Sequence, residues 1–148
     1  MVPYVFMDDL LFPLHILSLV VAGVHVLLAD HDGFSWLRGK VETLPVGRVR
    51  YYHRAVWVGL IGLIASGFLM FWPDRALLLL SPAFQLKAGF VGALVLNSLA
   101  IGILQRIALE KPARELTAYE AVPLIVSGAI STLSWLGAAG AAFFLYDF

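Results

Sequence analysis

The chain contains no cysteine and few charged residues, and both shortages exclude classes of chemistry. Without thiols it forms no disulfide, no thiolate metal site, no iron–sulfur cluster and no thiol redox centre. Charged residues make up only 14% of its 148 residues, against about 25% in a typical soluble domain. The formal net charge is zero, so bulk electrostatics provide no attraction for nucleic acid and we expect no such partner.

Acidic residues are present only at the boundaries of apolar runs, so a carboxylate proton relay inside a membrane is not indicated. The sequence also lacks an HExxH motif, a phosphate-binding glycine loop and a GxSxG motif. Zinc peptidase, nucleoside triphosphatase and serine hydrolase chemistry therefore have no support in the sequence.

Hydrophobic residues are in excess, at 61% of the chain, against about 45–50% in soluble domains. This excess predicts an integral membrane protein surrounded by lipid, with one domain over residues 1–148. Four apolar runs are long enough to cross a bilayer, at about residues 10–29, 52–71, 84–109 and 121–146. The predicted fold class is all-α, a four-transmembrane-helix bundle.

The basic residues predict how the bundle is oriented. Four spans place both termini on the same side, and the first and third links carry most of the positive charge. By the positive-inside rule these links are cytoplasmic and the termini are non-cytoplasmic. Within this scheme we expect Pro13 in the first turn of a helix, Gly33 at a helix end, a short surface helix over residues 34–44 and an interfacial turn over residues 76–84.

The first span, Leu10–Leu28, carries two histidines although it is otherwise strongly apolar. In a helix His15 and His25 lie about 15 Å apart along the axis and about 80° apart around it. Ser18 and Ala22 fall between them on the same broad face. This stripe is polar and small, so we expect it to face protein rather than lipid.

Small residues also mark one face of the second and the fourth span, where close helix packing is their ordinary role. They are Gly59, Gly62 and Ser66 on the second span, and Ser127, Ser131, Ser134, Gly137 and Gly140 on the fourth.

His15 and Lys87 both lie one to two turns inside the predicted outer surface, on spans one and three. His15 is either a core histidine bonded to a carbonyl or a serine, or an axial ligand of haem iron. Lys87 either extends to the outer headgroups or faces inward toward an anionic group, such as a porphyrin propionate, or a quinone-type carbonyl. A deprotonated amine at Lys87 is a further possible iron ligand.

His25 and His53 lie toward the cytoplasmic side, on spans one and two, and two histidines at similar depth could clamp an iron between them. Alternatively both rings are satisfied by neighbouring hydrogen-bond partners or by interfacial water. His31, between two aspartates, is interpreted as part of a solvated loop rather than a metal site. The candidate metal ligands are therefore His15, His25 and His53.

Three stretches resemble a known group of membrane proteins: PLHIL early in span one, SPAFQLKAGF opening span three, and VGRVRYYHRAVWVGLIGLIASGFLMF over span two. The chain resembles the copper-resistance-D-like superfamily, which includes the small four-helix protoporphyrinogen oxidase of bacteria. The resemblance implies haem b as cofactor, with His15 and Lys87 tied to it, and the inner (plasma) membrane of a bacterium as the location.

The resemblance is incomplete in two places. The region VVAGVHVLLADHDGF lacks the tryptophan–glycine segment and the LPR stretch of the oxidase, and Phe84 and Gln85 stand where a tryptophan usually precedes the lysine. These departures predict a relative that shares the architecture rather than the porphyrinogen-oxidising activity.

Two functions remain open from the sequence. One is a haem-b-binding redox protein with histidines of spans one and two as ligands, served by an electron-transfer partner. The other is a non-catalytic membrane subunit or small-solute permease, in which the histidines are structural and the small-residue faces pack against partners or a homo-oligomer.

Overall fold

The computed structural model describes the backbone of residues 3–144 and the side chains of residues 10–144. The elements are α1 (Pro3–Leu37), α2 (Val46–Phe71), α3 (Arg75–Leu78), α4 (Pro82–Glu110), a 3₁₀ turn (Ala113–Glu115) and α5 (Ala118–Phe143). The prediction of an all-α, four-helix membrane bundle is confirmed, because α1, α2, α4 and α5 are each long and apolar enough to cross a bilayer. The expected end of the last span, at residue 146, lies outside the described residues.

Helix α1 is longer at both ends than the sequence predicted. It begins at Pro3, where a proline is tolerated, and Pro13 consequently lies inside the helix rather than in its first turn. At the other end Gly33 does not stop the helix, and no separate surface helix forms over residues 34–44.

The cause of the C-terminal extension is a long-range contact. Trp36 is only 2% exposed, and its indole N–H donates to the carbonyl of Lys111 at 3.1 Å. That contact stabilises one more turn of α1, which ends at Leu37, and the positive φ of 70° at Gly39 then turns the chain away.

Helices α1 and α2 pack with their backbones unusually close. A Cβ atom added to Gly59 would lie 2.7 Å from the Cβ of Ala22 and 2.8 Å from the carbonyl oxygen of Ser18, and one added to Gly62 would overlap the Ser18 side chain. The small residues of span two therefore pack within the chain against the small stripe of α1, as expected for a membrane helix pair.

Helices α4 and α5 form the second closely packed pair, held by different contacts. The Asn97 amide donates to the carbonyl of Ser127 at 3.1 Å, and the Ser127 hydroxyl donates back to the Asn97 side-chain oxygen at 2.8 Å. Further along, the ring of Phe90 fills the space beside Gly137, where a Cβ would overlap it.

The two pairs meet mainly where α2 passes α4. At one end of the bundle, Phe71 stacks on Phe84 with ring centroids 4.9 Å apart, across the turn that contains the short helix α3. At the other end, Leu44 N–H donates to the carbonyl of Ala108 at 2.9 Å beside the Trp36 contact. The outer faces of all four long helices expose large apolar side chains, as lipid-facing surfaces do.

Candidate functional site

The ring of His15 is oriented by a serine on the neighbouring helix. His15 Nδ1 lies 2.9 Å from Ser66 Oγ, and Ser66 Oγ lies 2.6 Å from the carbonyl oxygen of Gly62. A carbonyl only accepts, so the single hydroxyl proton of Ser66 goes to Gly62, and His15 Nδ1–H must be the donor to Ser66. Neutral His15 therefore carries its unshared ring lone pair on Nε2.

The sequence of α2 makes room for this arrangement. Ser66 is 1% exposed and one turn from Gly62, whose lack of a side chain lets α1 approach. A Cβ added to Gly67 would lie 3.3 Å from His15 Cε1, so this glycine also leaves space for the imidazole. Nδ1 of His15 thus bonds a serine across the contact between α1 and α2, as the core-histidine alternative predicted. Nε2 has no hydrogen-bond partner among the described residues.

Lys87 approaches this site from the other helix pair. It lies in the second turn of α4, is half-buried, and is close enough to His15 for its charge to act on the ring. Among the side chains of residues 10–144, none forms an ion pair with Lys87. His15 and Lys87 thus lie on separate helices within electrostatic range of each other, and no hydrogen bond joins their side chains.

His25 is satisfied at one nitrogen and enclosed by tyrosines. Its Nδ1–H donates to the carbonyl of Val21 at 2.7 Å, within α1. The ring contacts Tyr51 edge-on, with centroids 5.3 Å apart, and Tyr52 at 6.2 Å. Nε2 of His25 lies 3.4 Å from the Tyr51 hydroxyl, a long contact in which the hydroxyl is the donor.

His53 has no free lone pair in its neutral form. The Trp57 indole N–H can only donate, and it does so to His53 Nε2 at 3.2 Å, which places the ring proton on Nδ1. The His53 ring also faces Gly102 of α4: a Cβ added to Gly102 would lie 3.4 Å from His53 Cε1 and Nε2. The structure shows no hydrogen bond or ring contact between His25 and His53; each ring contacts aromatic neighbours of its own.

No group of three or more histidine, aspartate or glutamate side chains gathers in metal-binding geometry within the described part of the chain. His31 is largely exposed, 3.6 Å from Asp32, at the end of α1. It belongs to the helix rather than to a loop, although it is solvated as expected.

Two residues that act on the candidate histidines were not singled out from the sequence. Ser66 was assigned to helix packing, and its role in orienting His15 depends on which helix faces α2. Trp57 stands four residues after His53, one helical turn away, and this spacing was a local signal for the contact.

In a comparison with known proteins, no protein-family model, no curated protein and no solved structure matches the chain.

Proposed function

We propose that this protein binds haem b within the membrane, with His15 Nε2 as an axial ligand of the iron. The observation that carries the proposal is the bond from His15 Nδ1 to Ser66, because it leaves Nε2 as the unprotonated nitrogen. Histidines that bind a metal in proteins usually donate their other ring N–H to a fixed acceptor in this way. When bound, the haem supplies one-electron redox chemistry.

The chemistry of the donors favours haem over a bare metal ion. A bare ion needs several ligands from the protein, and residues in the described part of the chain do not gather in such a group. Haem iron already has four porphyrin nitrogens and needs one or two protein ligands. One free imidazole at the α1–α2 seam meets that requirement.

Lys87 fits the role of a partner for the haem carboxylates. An ammonium group inside a bilayer costs about 2.5–3.5 kcal/mol at a helix centre, and less near the end. A propionate next to Lys87 would offset part of that cost, and the position of Lys87 near His15 agrees with a single group that contacts both. Lys87 would then orient the porphyrin rather than ligate its iron.

The geometry prevents His25 and His53 from sharing an iron with His15. His25 lies ten residues along the same helix, about 15 Å away, which is too far for two ligands of one iron. His53 uses its Nε2 lone pair for Trp57. The proposal therefore assigns the haem site to His15 and Lys87, and leaves His25 and His53 to the packing of the opposite half of the bundle.

This proposal agrees with membership in the copper-resistance-D-like superfamily, where the matching histidine and lysine are tied to haem b. It implies a bacterial inner membrane, with the basic links in the cytoplasm and the termini outside. It also implies a partner that exchanges electrons with the haem.

The alternative, a non-catalytic membrane subunit or small-solute permease, depended on small-residue faces that are free to pack against partners. Gly59 and Gly62 are used inside the chain against α1, and Gly137 is used against Phe90 of α4. These three glycines are therefore not free for a partner, whereas Gly140 has open space beside it and stays available to one.

The test is a haem titration of the purified protein in lipid nanodiscs, read by its Soret band and by pyridine haemochrome stoichiometry. We expect about one haem per chain for the parent and for His53→Ala, and less than a tenth of that for His15→Ala. His53→Ala is the matched control. It also removes an imidazole, but one whose lone pair already accepts a hydrogen bond from Trp57. Equal haem binding by the parent and His15→Ala would contradict the proposal.

A further inference from the structure

The end of α1 that projects beyond the apolar run carries an open recess of about 230 Å³. It is lined by His31, Phe34, Ser35, Arg38 and Lys40, which supply two permanent cations, an imidazole, a hydroxyl and an aromatic ring. No acidic residue lines it. This composition is suited to an anion that has an apolar part.

The recess is built by the way α1 ends. His31, Ser35 and Arg38 follow one another at successive turns of a single face. Gly39 then adopts a positive φ, and Lys40 N–H donates back to the carbonyl of Ser35 at 2.9 Å. This closing turn brings Lys40 alongside the histidine–serine–arginine face.

The neighbouring charges leave the recess cationic. Asp32, the neighbour of His31 in the chain, has its Oδ2 3.4 Å from Arg48 Nε and its Oδ1 3.6 Å from His31 Nδ1, so the cation of Arg48 offsets its charge. Arg38 and Lys40 have no ion-pair partner among the side chains of residues 10–144, and both are exposed.

The recess begins at the depth of the headgroup layer of a bilayer and extends beyond it. His31, Ser35 and Arg38 lie about 5, 11 and 15 Å beyond Leu28 along the helix axis, whereas a headgroup layer is about 5–8 Å thick. Arg38 and Lys40 therefore reach a lipid phosphate only with their long side chains extended back toward the bilayer. Below them, Leu27 is 70% exposed and shares a face with His31 and the 60% exposed Phe34. A molecule with an anionic head and an apolar tail can contact both parts of this face at once.

We propose that this recess binds the anionic headgroup of a phospholipid, with Arg38 and Lys40 on the phosphate and an acyl chain along Leu27 and Phe34. The exposed apolar side chains of Leu27 and Phe34, one on each side of His31 on this face, favour a lipid over free phosphate. The site is independent of the proposed haem site, which lies at the other end of α1.

The test is native mass spectrometry of the detergent-purified protein, titrated with dioleoylphosphatidylglycerol and, separately, with dioleoylphosphatidylcholine. We expect the parent to retain one phosphatidylglycerol selectively. Arg38→Gln/Lys40→Gln should bind that lipid about thirtyfold more weakly, from about fivefold for each basic group. Lys40→Gln alone should lose about fivefold.

The matched control is Arg50→Gln/Arg54→Gln, which removes the same charge from exposed positions in the first turns of α2, outside the recess. It should keep the tightly held phosphatidylglycerol. The proposal is overturned if the control variant loses as much lipid affinity as the recess variant, or if the recess variant binds the lipid like the parent. It is also overturned if about tenfold excess inorganic phosphate displaces the lipid.

Discussion

The two helix pairs of this bundle use polar residues in opposite ways. In the α4–α5 pair, Asn97 and Ser127 bond to each other in both directions, so their side chains are satisfied within the seam. In the α1–α2 pair, the bonds run in one direction, from His15 to Ser66 and from Ser66 to Gly62. The first arrangement closes on itself, whereas the second ends with an unshared lone pair on His15 Nε2.

A closed polar pair in lipid is explained by helix association alone. In the open chain of hydrogen bonds, His15 Nε2 has no hydrogen-bond partner among the described residues, and the haem that we propose would supply a partner. The predictions below test that distinction.

The largest expected effect on stability is at the close contact of the first pair. Gly59→Ala should lower the free energy of unfolding by about 1–3 kcal/mol, because the added Cβ meets backbone atoms of Ala22 and Ser18 that cannot move aside. Gly137→Ala should cost less, since the atoms it meets are the tip of the Phe90 ring. Unfolding titrations in mixed micelles measure both values.

Gly23→Ala is the control for this comparison, because a Cβ there would meet nothing within 4 Å. It should unfold like the parent. If Gly137→Ala costs as much as Gly59→Ala, the view that only the first seam is limited by backbone contact is wrong.

The next largest effect is on haem affinity, and it should distinguish two buried serines, Ser66 and Ser127. Ser66→Ala should weaken haem binding by about 10–100-fold, the usual consequence of removing the group that orients a ligating histidine. Ser127→Ala is chemically identical and almost equally buried, yet should leave haem affinity unchanged. Haem titrations of the two variants side by side measure the contrast, and equal losses would show that the effect is one of folding.

A smaller effect is expected from the closed pair itself. A double-mutant cycle over Asn97→Ala and Ser127→Ala should give a coupling of about 0.6 kcal/mol, and no more than about 1.7 kcal/mol, as for other hydrogen bonds between membrane helices. Thr132→Ala removes a hydroxyl that bonds only within α5, to Gly128, and should show no coupling to Asn97. A coupling near zero for Asn97 and Ser127 would remove the stabilising role assigned to the pair.

The last comparison concerns the links between the two pairs, and it includes the smallest effect. Trp36→Phe should cost about 1 kcal/mol, because it leaves the Lys111 carbonyl without its donor. Arg114→Gln, which breaks an exposed ion pair with Glu42, should cost about 0.5 kcal/mol or less. Thermal unfolding of both variants gives the order, and the reverse order would contradict it.

Composition and run length were sufficient to predict the four membrane helices, because lipid demands long apolar helices whatever their neighbours. The ends of α1 were not predictable. Gly33 and the polar residues around it look like a helix terminus, and only the distant contact of Trp36 with Lys111 explains why the helix continues. Local sequence carries no information about a partner 75 residues away.

The candidate site was predictable as a neighbourhood but not as chemistry. Depth along the spans placed His15 and Lys87 at a similar level, and in the structure the two residues are within electrostatic range of each other. The identity of the unprotonated nitrogen of His15 required the Ser66–Gly62 bond, since the sequence does not show which ring nitrogen of a histidine carries the proton. The same reasoning excludes His53 as a candidate ligand, because its lone pair accepts the hydrogen bond from Trp57.

The most direct test is long-range ¹H–¹⁵N NMR of the histidine side chains in the ¹⁵N-labelled, haem-free protein in detergent, followed by addition of haem. We predict that His15 is in the Nδ1–H form, with an unprotonated Nε2 whose signal is lost or strongly shifted when haem binds, while the His53 signals persist. A His15 ring protonated at Nε2, or one that does not respond to haem, would contradict the account.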